Sequence, residues 1–177
     1  MSPATAALAR ATGGSRLSPR LAAILAEELG ELPGDEPWRG EVVRRAAVFQ
    51  EVLWSGSVDA VLAAAAKLVG LGEGSTPAGD DYLVGVLHAL AFNGRGRAER
   101  SLLPALGEVG EGRTTTASAS WLAAAARGEA SPVWRTLLDT LAAGHDVAAR
   151  RAAGAVRATG HTSGAFSLRG FLDTVIG

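Results

Sequence analysis

Gly70-Leu-Gly-Glu-Gly-Ser-Thr-Pro-Ala-Gly-Asp-Asp-Tyr-Leu-Val-Gly85 is the stretch on which the reading of this chain turns. Four glycines in ten residues let the backbone approach a ligand closely. Thr76-Pro77 reads as an N-cap followed by proline at the first helical position. Asp80 and Asp81 fall in the first turn, and Leu83, Val86, Leu87 and Leu90 continue at helical spacing. The N–H groups and positive dipole end of such a helix suit an anion. The loop carries no lysine, so it is not a P-loop. Its two carboxylates can cap the helix, hold a metal such as Mg²⁺, or act in acid–base chemistry.

The same periodicity runs outward in both directions. Residues 1–17 read as a flexible arm with Pro3 and Gly13-Gly14-Ser15, and residues 18–177 as a single domain. Leu21, Ile24, Leu25 and Leu29 form one stripe that ends at Gly30. Helices are predicted over Glu36–Trp54, from Ser57 to Gly70, and over Pro77–Ala91, Ala98–Val109, Thr114–Arg127, Val133–Ala143 and Asp146–Thr159, with a last one reaching Ile176. No segment alternates with period two, and the composition is rich in Ala and Leu, with aromatics at 5%. The expected fold class is all-α: a compact multi-helix domain.

A second loop echoes the first. Gly160-His-Thr-Ser-Gly-Ala-Phe-Ser-Leu-Arg-Gly170 aligns with Gly74 to Gly85, one residue shorter in the loop. In both copies Leu follows four residues after the loop's last glycine and Gly six after it: Gly79, Leu83 and Gly85, then Gly164, Leu168 and Gly170. The echo predicts two Gly-rich loop-to-helix entries converging on one pocket. On a helical wheel Asp80 lies inside the buried arc, with Asp81 on its flank near His88. A buried carboxylate is costly unless paired or bound, so Asp80 is expected either to serve a ligand or to tie down its own loop. His161, Thr162, Ser163 and Gly164 form the second entry, and Thr115 and Ser118 stand in a third polar cluster, Arg113 to Ser118.

Composition excludes several classes. Without cysteine there are no disulfides, thiolate catalysis or Cys-held zinc. Lys67, the one lysine, sits in an Ala-rich helix pattern and offers little to Schiff-base chemistry. A net charge of -1 gives no global field for nucleic acid or an acidic membrane. No apolar run reaches the roughly 18 residues of a membrane span, and the expected location is cytoplasmic.

The motifs taken together resemble the AllH family, a bacterial family long listed as a domain of unknown function. Gly70-Leu-Gly-x-Gly-x-Thr-Pro-x-Gly-Asp-Asp-x-Leu-x-Gly85 carries the likeness. Thr115, Ser118, Leu122, Ala125 and Gly128 match its Thr/Ser helix entry, and Gly160 to Gly164 its closing motif. The likeness spans about residues 57–177. Ser75 stands where Leu is common and Phe166 where an acid is usual, and the chain is too short for an additional N-terminal portion expected to contain strands. The resemblance implies a subunit of an oxamate carbamoyltransferase system, in which oxalurate and phosphate become oxamate and carbamoyl phosphate with companion subunits. It implies a small anionic ligand held by Gly72, Gly74, Ser75, Thr76, Gly79, Thr115, Ser118, Thr162, Ser163 and Gly164. Asp80, Asp81 and His161 are the catalytic candidates, and Asp80 with Asp81 the candidate Mg²⁺ ligands. The alternatives are a non-catalytic binding or regulatory module, and a Mg²⁺-dependent hydrolase of a phosphate or ADP-ribose compound.

Overall fold

The computed structural model describes residues 17–94 and 97–177, apart from the side chains of 97–101. The arm expected over residues 1–17 falls outside the described residues except for Leu17, which is buried. The described chain is helical throughout, with no strand. In order the helices are α1 (Pro19–Leu29), α2 (Pro37–Ser55), α3 (Val58–Ala66), α4 (Ala78–Asn93), α5 (Arg97–Glu108), α6 (Thr116–Ala126), α7 (Pro132–Ala142), α8 (Asp146–Arg157) and α9 (Ser163–Ile176). No helix among the described residues is long and apolar enough to cross a membrane.

Local chemistry sets most of these ends. Ser18, Ser57, Thr115 and Ser131 each accept a backbone N–H from three residues on, capping α1, α3, α6 and α7. Gly94, left-handed at φ 60°, closes α4. Several expected ends moved by a residue or more, and two of these shape the Gly-rich loop. The helix from Ser57 stops at Ala66, and the chain tightens through Lys67 and Leu68, whose N–H groups reach three residues back, before Gly70 turns at φ 71°. Pro77, not Thr76, takes the N-cap position of α4 and makes no side-chain cap. The Thr76 hydroxyl is committed elsewhere, 2.9 Å from the Ser163 hydroxyl at the start of α9.

Helices α4 and α9 form the centre. Both are buried nearly all round, which is the mark of a helix wrapped by others rather than lying on a surface. They cross in backbone contact. A Cβ on Gly85 would lie 1.8 Å from the Ser167 carbonyl oxygen, and one on Gly170 would lie 2.0 Å from that of Tyr82. Tyr82 and Ser167 are matching positions in the two echoed segments, so the contacts are reciprocal, as in an isologous pairing. The next pair repeats the rule. Gly79 leaves no room beside the Leu68 carbonyl (2.0 Å), nor Gly164 beside that of Val156 (1.9 Å). The repeat seen in sequence is therefore an approximate internal twofold, with glycine required wherever one segment meets another's backbone.

Gly85→Ala and Gly170→Ala should each destabilise by about 3 kcal/mol or more, because backbone cannot yield as a side chain can. Gly40→Ala, at the end of the first turn of α2 with nothing within 4 Å of its Cβ, should be neutral or stabilise by up to about 1 kcal/mol. Urea unfolding of the three variants checks this, and equal effects at Gly40 and Gly85 would contradict it.

Candidate functional site

The Gly-rich loop is held from both sides before it reaches α4. Asp80, 1% exposed, takes the Gly70 N–H on Oδ1 at 2.9 Å and the Thr114 hydroxyl on Oδ2. The Thr115 hydroxyl caps α6 and also donates to the Ser75 carbonyl at 2.6 Å. Gly72 sits at φ 116°, where a Cβ would lie 2.7 Å from the Ala78 nitrogen. Asp80 and the threonines thus fold the loop against the start of α6. The first-turn N–H groups are mostly used as well: Gly79 bonds to Leu71, Asp80 and Asp81 to Pro77, Gly164 to Thr159 and Phe166 to Thr162.

Asp81 points the other way, into a cavity of about 230 Å³ between α4 and α9. Asp81, Val84 and His88 supply its α4 wall, three and four residues apart on one face. Ser163, Gly164 and Ser167 supply the α9 wall, with Thr76 at the loop end. Trp121 and Ala125 of α6, Glu129 and Ser131 of the α6–α7 connection, Trp134 of α7, and Thr159 with Gly160 complete it. Trp134 is buried, its ring 4.7 Å from that of His88 and 5.4 Å from that of Phe171. Trp121 is 52% exposed.

The electrostatics of this wall are unusual for a pair of titratable groups. Burial pushes the Asp81 carboxyl up to about 7; its hydrogen bond to Ser163 opposes the rise, the charge of Asp80 adds to it, and a hydrogen bond to Thr76 opposes it further. One oxygen, Oδ2, is buried and has no hydrogen-bond partner. Burial pushes His88 down to about 4. Between pH 4 and 7 both groups are neutral. Above pH 7 a carboxylate appears in a largely apolar recess.

Of the residues singled out from sequence, Thr76, Asp81, Ser163 and Gly164 line this cavity. Asp80, Gly72, Gly74, Ser75, Gly79, Thr115, Ser118, His161 and Thr162 do not. His161 is exposed, and Ser118 is buried behind the Thr115 cap. Asp80 and Asp81 face different surroundings, and among the described residues no group of three His, Asp or Glu could hold a metal ion. The aromatic wall went unseen. Trp121 and Trp134 belong to no local motif; Ser167 lies in the echoed segment without being singled out, and His88, seven residues after Asp81, carried a signal.

The internal twofold reproduces the cavity on the far side of the crossing. Phe166, Arg169, Asp173 and Tyr82 correspond to Asp81, Val84, His88 and Ser167, and they line a second space of about 70 Å³. There Phe166 stands in place of the carboxylate, 5.8 Å from the Trp38 ring. Arg169 Nε binds both Asp173 oxygens at 2.7 and 2.8 Å, and the Tyr82 hydroxyl donates to Asp173 Oδ2 at 3.1 Å. One half of the repeat keeps an open recess, and the other is filled by its own side chains.

A family model described as oxamate carbamoyltransferase subunit AllH matches residues 68–175. The chain belongs to the AllH family. No curated protein and no solved structure matches it. The AllH match opens at Leu68, against whose carbonyl Gly79 packs, and closes in the last turn of α9. It contains both halves of the twofold and every residue of the larger cavity's wall.

The two cavity groups should tilt stability in opposite directions. Asp81 binds its proton more tightly folded than unfolded (ordinary value 3.8), so its contribution is complete below pH 4 and lost as pH rises to about 7. His88 resists protonation when folded, so its contribution is complete above pH 6.5 and lost as pH falls to about 4. In the wild type these two slopes should largely cancel, while burial of Asp173, which also raises its carboxyl, adds a further fall as pH rises. Asp81→Asn should expose a rise with pH of roughly 3 kcal/mol, and His88→Gln a fall of roughly 4 kcal/mol. Denaturant titrations at pH 4, 5.5 and 7 measure both slopes, and slopes of the same sign would refute the assignment.

Asp80 should behave as a tie in the loop. Asp80→Asn and Thr114→Val remove the same bond, each costing about 1–3 kcal/mol, and the double variant should cost less than their sum. Additive losses in urea unfolding would argue against it.

Proposed function

We propose that this chain acts as the AllH-type subunit of a carbamoyl-transfer system and that the larger α4–α9 cavity holds the carbamoyl-bearing substrate. The observation that carries the reading is the buried Asp81 carboxyl on the cavity wall, with the Thr76 and Ser163 hydroxyls beside it. A carbamoyl group offers an NH₂ donor and a carbonyl acceptor. Asp81 accepts from the first, and one hydroxyl of the Thr76–Ser163 pair meets the second by turning its single proton away from Asp81. Burial of the carboxylate makes a ligand N–H worth more there than at the surface, because the alternative is an unsatisfied acceptor. The family match over the whole cavity wall supports the transferase context, and companion subunits would supply the groups for the remaining chemistry.

The wall offers no lysine or arginine to a phosphate or carboxylate. The anionic end of a substrate such as oxamate therefore lies toward the open side, where a companion chain can meet it. Thermal unfolding with carbamoyl phosphate, oxamate and inorganic phosphate, each added separately, tests the reading. A carbamoyl compound at 100 times its dissociation constant should add about 2.7 kcal/mol, and the gain should vanish in Asp81→Asn. Phosphate alone should do nothing. Stabilisation by phosphate but by neither carbamoyl compound would overturn the assignment of Asp81.

A further inference from the structure

His88 lines the cavity from α4, is 4% exposed, and among the described residues no group hydrogen-bonds its imidazole. Burial alone pushes its titration down to about 4, with no charge and no hydrogen bond contributing. The polar atoms sealed in without a partner include Asp81 Oδ2 but neither His88 nitrogen, so the imidazole edge is open to the cavity. Trp134 holds the ring at 4.7 Å, a contact that uses neither nitrogen. The internal twofold shows what this position lacks. Its counterpart Asp173 accepts from the Tyr82 hydroxyl at 3.1 Å and from Arg169 Nε at 2.7 and 2.8 Å. In the open half Ser167 stands for Tyr82 and donates to its own Gly164 carbonyl at 3.2 Å, and Val84 stands for Arg169. The groups that satisfy Asp173 have no equivalent beside His88, and the larger cavity takes up their space.

We infer that His88 is a specificity-determining residue of this cavity, pairing through its ring nitrogens with an uncharged amide group of the ligand, two turns along the wall from Asp81. The inference rests on the cavity being the ligand site proposed above, and it adds a second contact to that site. A neutral imidazole offers one donor and one acceptor, and an amide answers both kinds. Seven residues of helix rise by about 10 Å, so a ligand held at one end by Asp81, Thr76 and Ser163 meets His88 only with a second polar group. An alkyl group there leaves a buried donor and acceptor without partners, which costs affinity. A charged group there gives up its water against Trp134, with no lysine or arginine on the wall to compensate. The ligand's charge therefore stays at the mouth, and its neutral polar part goes to His88.

The test compares butanediamide with isocaproamide, two molecules of one shape that differ only in whether the second end is an amide or a branched alkyl group. Both are titrated against the full chain at pH 8, where Asp81 is ionised and His88 neutral, with tryptophan fluorescence and calorimetry as readouts. The diamide should bind about tenfold more tightly, the worth of one buried hydrogen bond. His88→Phe keeps a ring against Trp134 and removes both nitrogens; it should erase the preference and leave the monoamide's affinity nearly unchanged. His88→Leu makes the same comparison if the phenylalanine is not accommodated. His88→Gln, which has a donor and an acceptor, should keep most of the preference, a rescue that a merely structural ring would not give. Equal affinity for the two amides in the wild-type chain, or no saturable response to either, would overturn the inference. So would a diamide preference that survives both apolar variants, or one lost in His88→Gln as fully as in His88→Phe. If carbamoyl phosphate or oxamate binds in any of these cases, only this inference falls. A preference that depends on His88, with no response to either carbamoyl compound, would leave it standing and remove the transferase reading.

Discussion

The fold depends on one contact, the backbone-to-backbone crossing of α4 and α9 at Gly85 and Gly170. Helices that approach so closely can bury nearly every side of themselves, and the others gather round them as a shell. That closeness places Asp81 beside Ser163 and Thr76, although the two loop entries are far apart in the chain. A methyl group at the crossing would push the helices apart, and the hydroxyl pair at the cavity end would be the first casualty.

The second organising fact is the division of labour between adjacent aspartates. Neighbours on a helix point about 100° apart, and here that angle separates a structural charge from an open one. Asp80 turns back to Gly70 N–H and Thr114 and is satisfied. Asp81 turns toward the cavity and keeps an oxygen without a donor. Two turns along the same face from a neutral His88 that packs against Trp134, it makes a recess whose charge changes near pH 7.

Much of this was legible in the sequence, and the rest was hidden for identifiable reasons. Stripes such as Leu21, Ile24, Leu25 and Leu29, together with Ser and Thr caps, fixed the helical class, because both signals are local. The Gly79/Gly85 and Gly164/Gly170 echo revealed the repeat, because close backbone contact admits only one residue type. The wheel placed Asp80 inside correctly, yet its partner Thr114 lies 34 residues on and left no local trace. Trp134 and Trp121 reach the cavity from separate helices for the same reason. Loop composition likewise cannot reveal that several of the helix-start N–H groups, those of Gly79, Asp80, Asp81, Gly164 and Phe166, bond to nearby carbonyls.

The crossing also determines which parts of the cavity can move. With carbonyl oxygens filling the space beside Gly85 and Gly170, α4 and α9 have no slack along or across their axes, so the floor carrying Asp81 and Ser163 is rigid. The opposite wall is built differently: α6 and the connection after it contribute Trp121, half in solvent, and Glu129, whose side chain is held by a surface ion pair. Any widening of the entrance has to be borne by that wall.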